Sequence, residues 1–323
     1  MLNNLLSNTY AQAALAVGGI GGLISDEIGQ GYWIAIVISI LLIVYALYDE
    51  YRIKKIYSQP NIPIPIIFNI SNPADSKSAL SALFSILEKE YPNHQKHLKK
   101  HFNITEDDLI FKYDSDIFEQ ERFIDFLKIS KHNIKKLESK TPKNVQFHIV
   151  YIGPIANAIL VGTLFSTESV ALYQYTKSSD SYSIVISVSN RSFKEGVKHY
   201  ETIKKTVLGE IGGASEVTVA IDMASHRLAL SKLDGTVVHL DSIIGATIDK
   251  PETFIRANQE IYSVINELQQ SIPKIKLVYS MPVTLGILLG MSIQTYWDIE
   301  VTQYSEGEYK SVIKHLNQIK YYF

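Results

Sequence analysis

Two stretches decide the fold: FHIVYIGPIANAILVGTLF at 147–165 and IKLVYSMPVTLGILLGMSI at 275–293. At an offset of 128 they share Val150/Val278, Tyr151/Tyr279, Pro154/Pro282, Ile159/Ile287, Leu160/Leu288 and Gly162/Gly290. After one inserted residue the similarity continues, with SVALYQY (169–175) facing DIEVTQY (298–304). Each copy reads as an apolar strand, a turn with Pro at the helix start, an apolar helix, and a strand ending in Gln-Tyr. Proline suits the first helical turn because that position needs no N–H donor. Glycine inside a helix costs up to about 1 kcal/mol. Close packing of Gly162 and Gly290 on the sheet is the expected reason for keeping them. A repeat of this size outranks any local motif.

Outward from the repeat, strands and helices alternate. Strands are expected at 66–71, 109–113, 145–152, 170–175, 182–188, 216–223, 275–279 and 299–304. Helices are expected at 76–89, 116–137, 155–165, 192–208, 254–270 and 283–293. Such alternation predicts an α/β architecture with mainly parallel sheets. We read 63–190 and 191–323 as two similar Rossmann-like halves, with 51–62 as linker. The proline-rich YSQPNIPIP (57–65) marks that boundary.

The first fifty residues are a different material. They hold four acids and no Lys or Arg, while 51–323 hold all 31 bases and the other 29 acids, a net of +2. From Gly29 to Tyr48 there is no charge, and Tyr32, Trp33, Tyr45 and Tyr48 flank an aliphatic run. About twenty residues at roughly 1.5 Å each match the thickness of a bilayer core. A second uncharged segment precedes it, with Ala14, Gly18 and Gly22 four apart. The reading is a transmembrane hairpin within 1–50, with spans near 8–25 and 30–48. One span with a surface-lying first segment, or a buried core helix, are the alternatives. Arg52, Lys54 and Lys55 after the second span predict a multi-pass inner-membrane protein with its C-terminal part cytoplasmic.

Several chemistries are excluded. With zero cysteines there is no disulfide, thiolate zinc site or cysteine nucleophile. A net charge of −2 argues against a DNA or RNA polymer as partner. No Walker loop, GxSxG, HExxH or GxGxxG occurs. No catalytic residue, metal or cofactor is assigned. IGGAS (211–215) reads as a turn. Asp114 and Asp116 read as an exposed helix start, and the His94–His101 basic run as a solvated helix face.

Ligands of open α/β sheets sit at the carboxyl ends of the strands, where helix N-termini suit phosphate. In the first half that points to Asn69, Ser71, Asn72, Tyr151, Gly153 and Pro154. In the second it points to Ser225, His226, Arg227, Ser280, Met281, Pro282 and Thr284. Ser225-His226-Arg227 follows an apolar strand and reads as either a turn or a ligand contact, Arg and Ser suiting phosphate and base edges. Core packing and ligand contact both remain open for Tyr151 and Tyr279.

The strand, xxPxxxxxxxG helix and aromatic-ended strand resemble the SAVED domain, most clearly in KIKLVYSMPVTLGILLGMSI…DIEVTQYSEGEYKSVI (274–313). This copy ends its hallmark strands in Gln-Tyr, where many members carry Tyr-Glu. The resemblance implies two fused CARF-like halves that sense a cyclic oligonucleotide, with a cyclic trinucleotide favoured, in CBASS antiphage signalling. With the N-terminal segment, the whole chain is similar to two-transmembrane SAVED effectors, whose fused part harms the host cell. The lipid bilayer is then a partner. Two similar but unlike halves predict head-to-tail homo-oligomers on ligand binding. The competing expectation is a membrane-tethered nucleotide-processing enzyme on the same scaffold.

Overall fold

The computed structural model describes residue 12 and residues 29–56, 61–70, 74–141, 144–176, 180–189, 192–245, 248 and 250–322. The chain divides into two units, Met1–Ile62 and Pro63–Phe323. In the first, helix α1 covers Gly29–Ile56. The apolar segment at 8–25 lies outside the described residues, apart from residue 12. Among the described residues no helix is long and apolar enough to cross a membrane. Taken over its whole length, α1 is mixed, its C-terminal part carrying Asp49, Glu50, Arg52, Lys54 and Lys55. The expected placement as a multi-pass inner-membrane protein is therefore overturned. The lipid partner and the bilayer output rest on that placement and are carried no further.

The second unit holds two mixed sheets. The first contains β1 (Ile62–Ile70), β2 (Ile110–Tyr113), β3 (Val145–Ile152), β4 (Ser169–Thr176) and β5 (Ser181–Val188), in the order β2-β1-β3-β4-β5. The second contains β6 (Ile203–Leu208), β7 (Glu216–Asp222), β8 (Val237–Ser242), β9 (Lys274–Ser280), β10 (Ile299–Ser305) and β11 (Glu308–Ile313). Read from its β6 edge the order is β6-β8-β7-β9-β10-β11. Beyond the extra strand β6, the two sheets have the same order. In each, the last strand returns antiparallel, β5 on β4 and β11 on β10. The parallel pairs β1/β2 and β7/β8 also correspond. The repeat legible at 147–175 and 275–304 thus extends through both sheets.

Helices α2 (Ser76–Leu87), α3 (His94–Phe102), α4 (Glu106–Leu109) and α5 (Gln120–Lys140) belong to the first half of the unit, followed by α6 (Ile155–Gly162). Helices α7 (Pro251–Gln269) and α8 (Val283–Ser292) belong to the second. Asp75 caps α2, accepting from the Lys77 amide at 2.9 Å. Helices α6 and α8 are almost wholly buried, in keeping with their largely apolar sequences.

The glycines at their centres have a different partner from the one expected. A Cβ on Gly290 would lie 1.8 Å from the Ile159 carbonyl oxygen, and one on Gly162 would lie 2.2 Å from that of Ile287. The close approach is helix on helix across the repeat, not helix on sheet. Gly286 meets Ile155 and Ala158, while Gly290 meets Ile159 and Gly162. The two helices therefore run in the same sense, and their N-termini, at Pro154 and Pro282, lie on the same side.

Three further expectations are corrected. Residues 192–208 are not one helix: a single 3-10 turn at Ser192–Lys194 is followed by β6. The amides of Glu201, Thr202 and Ile203 donate to the buried Glu260 carboxylate, at 2.7, 2.9 and 3.0 Å, so α7 holds the start of the strand. Strand β1 opens at Ile62, four residues before the expected start at 66; Pro63 and Pro65 precede the Ile67–Ile70 stretch that pairs with β2 and lose no hydrogen bond of that ladder. The basic run is only partly solvated, since His94 and His97 are buried and His94 Nε2 donates to the Pro63 carbonyl at 2.7 Å.

Candidate ligand site at the strand ends

In the first sheet, β1 ends at Asn69 and Ile70. Asn69 is fully buried and donates through Nδ2 to the Ala74 carbonyl and to Ser76 Oγ, both at 2.9 Å. Ser71 and Asn72 lie outside the described residues. At the end of β3, Tyr151 donates its hydroxyl to the Pro154 carbonyl at 2.7 Å. Gly153 has φ +152°, and a Cβ there would lie 2.9 Å from both Cβ and O of Ile70. Only glycine lets the turn pass this close to β1.

In the second sheet the same level is more polar. The Met223 amide donates to the Ser280 carbonyl at 2.7 Å, and Ser280 Oγ donates to the His226 carbonyl. Ser280 and the Ser225–Arg227 loop are thus brought together. Tyr279 donates to the Thr302 carbonyl, and burial holds its phenol well above the ordinary value. Tyr151 is raised in the same way, by burial and then by the charge of Tyr279. Both hydroxyls are committed to backbone carbonyls. Pro282 precedes α8, while Met281 and Thr284 are buried. Their contribution to any ligand surface is accordingly small.

Arg227 is half-exposed and its Nη1 pairs with Asp241 Oδ1, with Asp222 Oδ2 at 3.6 Å. Asp222 also accepts from the Leu228 amide at 3.3 Å, which fixes the loop. In the parallel register Asp222 stands beside Asp241 on β8 and beside Ser280 on β9. Period-two alternation puts His239 on the same face as Asp241. Sequence reading missed His239 and Asp241 because it missed β8; the apolar alternation in VVHLDS was the available signal.

A second missed contributor is Gln303, whose Oε1 accepts from the Ala156 amide at 3.3 Å. It belongs to the Gln-Tyr pair that closes β10. The partner tyrosine, Tyr304, receives a hydrogen bond from Lys232 Nζ at 3.1 Å. That ammonium lies 5.5 Å from the ring centroid. An aromatic face, a cation and a helix N-terminal amide therefore surround this strand end. Such a set offers stacking for a base and charge for a phosphate.

Residues 191–314 match the family described as SAVED, the SMODS-associated and fused to various effectors sensor domain. That match covers 191–314 and not the rest of the chain. The matched stretch contains the whole second sheet, β6 to β11, and with it Ser225–Arg227 and Ser280. The first sheet lies outside the matched stretch and is related to it by strand order. Among solved structures, the Cap4 SAVED/CARF-domain containing receptor of Acinetobacter baumannii is similar at 16% identity and TM-score 0.52, covering 91% of this chain and 59% of that one. The same receptor with the cyclic trinucleotide 3'3'3'-cAAA matches at 14% identity and TM-score 0.49, over 90% of this chain and 60% of that one. The corresponding receptor of Moraxella osloensis matches at 15% and 0.46, over 85% and 53%. At these identities the likeness is one of fold, and this chain spans only 59% of the first receptor's length. No curated protein matches the chain.

Proposed function

We propose that this chain is a sensor that binds a cyclic oligonucleotide, a cyclic trinucleotide in preference, at the strand ends of its two sheets. The observation that carries the reading is the SAVED sensor-domain match over 191–314, which encloses an entire sheet. Supporting it are the second sheet of the same order and two helix N-termini on one side. Half-exposed Arg227 supplies a guanidinium for phosphate. Division into CARF-like halves at 63–190 and 191–323 belongs to the same proposal. So does head-to-tail association on ligand binding, since the halves present unlike polar residues at equivalent ends.

The test is calorimetric titration of the full chain with 3'3'3'-cAAA, with the linear trinucleotide as control. Saturable binding of the cyclic form is expected. Arg227→Ala should weaken it roughly tenfold or more, by loss of a charge-assisted contact. Sedimentation velocity with and without ligand reads the association. A folded protein that binds neither this ring nor cyclic dinucleotides overturns the sensing reading.

A further inference from the structure

We infer that Asp222, His239 and Asp241 form a divalent-cation site at the ends of β7 and β8. One potential ligand atom from each lies within 4.8 Å of the other two. Two independent features point to a missing electrophile. Asp222 has a side chain only 5% exposed. Its Oδ1 is buried without a hydrogen-bond partner among the described residues. His239 Nε2 is likewise buried and unpartnered, facing Asp222 Oδ2 at 3.8 Å, too far for a hydrogen bond. Buried polar atoms are normally satisfied, and two orphans on one facing pair of residues need an explanation.

The fold itself does not require this trio. At the ends of the corresponding strands of the first sheet, the last in-register pair is Ile70 with Tyr113, and the residue two before Tyr113 is Phe111. An apolar set therefore serves the same architecture. Two carboxylates and an imidazole are the mixed O,N donor set that suits Zn²⁺ or Mn²⁺. Ligand atoms around one such ion, at about 2.0–2.2 Å from it, lie within about 4.4 Å of each other. Closing from 4.8 Å requires only a small side-chain rotation. Three protein ligands leave a coordination position open.

Arg227 now neutralises part of the cluster from its exposed side, through Asp241 and at longer range Asp222. Cation and guanidinium compete for the same carboxylates. On the ligand-binding reading above, the cation would release Arg227 toward phosphate; the site itself does not depend on that reading.

The test uses metal alone. Chelator-stripped full chain is titrated with Zn²⁺ and with Mn²⁺, followed by calorimetry and by thermal melting. One saturable site is expected that Asp222→Asn and His239→Gln each weaken by about tenfold or more, since even outer-shell changes cost that much. Asp241→Asn, at a half-buried position, must show the same loss if either of the first two fails to fold. Arg227→Ala must bind the metal more tightly than wild type, because it removes the competitor. A purely structural salt bridge predicts the opposite: no metal-dependent shift, and no gain in Arg227→Ala. Either result overturns the proposal, as does unchanged affinity in the folded Asp222→Asn or Asp241→Asn proteins. Binding of 3'3'3'-cAAA is measured separately, so failure of one site does not read as failure of the other.

Discussion

Gly290→Ala tests the contact on which the two-sheet architecture turns. The added methyl would lie 1.8 Å from the Ile159 carbonyl oxygen and 2.7 Å from its carbonyl carbon. Ordinary carbon contacts begin near 3.4 Å, so α6 and α8 must separate by about 1.5 Å. The obstructing atoms are backbone, and no rotamer change relieves them. Overpacking of this kind costs about 1–3 kcal/mol, and occasionally more. The gain from replacing a helical glycine is at most about 1 kcal/mol. Separation also pulls fully buried Ile159, Leu160, Leu288 and Leu289 out of register with both sheets. We therefore expect a net loss of about 1–2 kcal/mol, or roughly 2–8 °C in melting temperature. Gly212→Ala is the control, because a Cβ there meets nothing within 4 Å. Urea titration and thermal circular dichroism measure both variants. A Gly290→Ala protein as stable as wild type would refute the helix-on-helix argument. Should it be stable yet bind 3'3'3'-cAAA less tightly, the helices can separate and only the shared placement of their N-termini matters.

Glu260→Ala should cost about 3–5 kcal/mol by urea titration, because a fully buried carboxylate serving three backbone amides, Thr202 Oγ1 and Arg256 is lost. Glu267→Ala, an exposed partner of Lys205, should fall within about 0.5 kcal/mol of wild type; equal losses in the two variants would sink the anchoring role given to Glu260. A pH dependence follows from His94 and His148, both lowered from 6.5 to about 4, chiefly by burial. The unfolded chain then binds more protons than the folded one between these values, so stability is complete above pH 6.5 and falls as pH drops toward 4. At pH 5 each histidine should have removed about 2 kcal/mol, an amount that His94→Gln and His148→Gln should individually take out of the pH 7-to-5 difference; a difference undiminished in both variants refutes the assignment.

Much of the fold was legible because the repeat lies in the most constrained part of it. Strands β3 and β9 and helices α6 and α8 are buried, so their apolar runs and helix-start prolines survive in both copies. Strand β8 was missed because its apolar residues alternate with polar ones over only six positions. Strand β6 was misread as helix because IKKTVL carries no strong local preference. Its conformation is imposed from 57 residues away by Glu260, a contact that no local window contains. The partner of the helix glycines was hidden for a similar reason. A glycine in a helix signals close approach, but the sequence does not say to what.

The site was legible only as a level in the sheet. Strand ends and helix starts can be counted from sequence, which is how Gly153, Ser280 and Arg227 enter as candidates at that level. Which side chains face one another at that level depends on register, and register sets Asp222 beside Asp241 and Ser280. The same level in the first sheet is apolar at Ile70 and Tyr113. Equal architecture with unequal chemistry means that the polar set of the second sheet does not arise from the folding pattern. Its cost to stability, with two orphaned buried atoms, is the kind that persists when a bound group repays it. The repeat therefore identifies the scaffold where the halves agree, and marks the candidate functional residues where they differ.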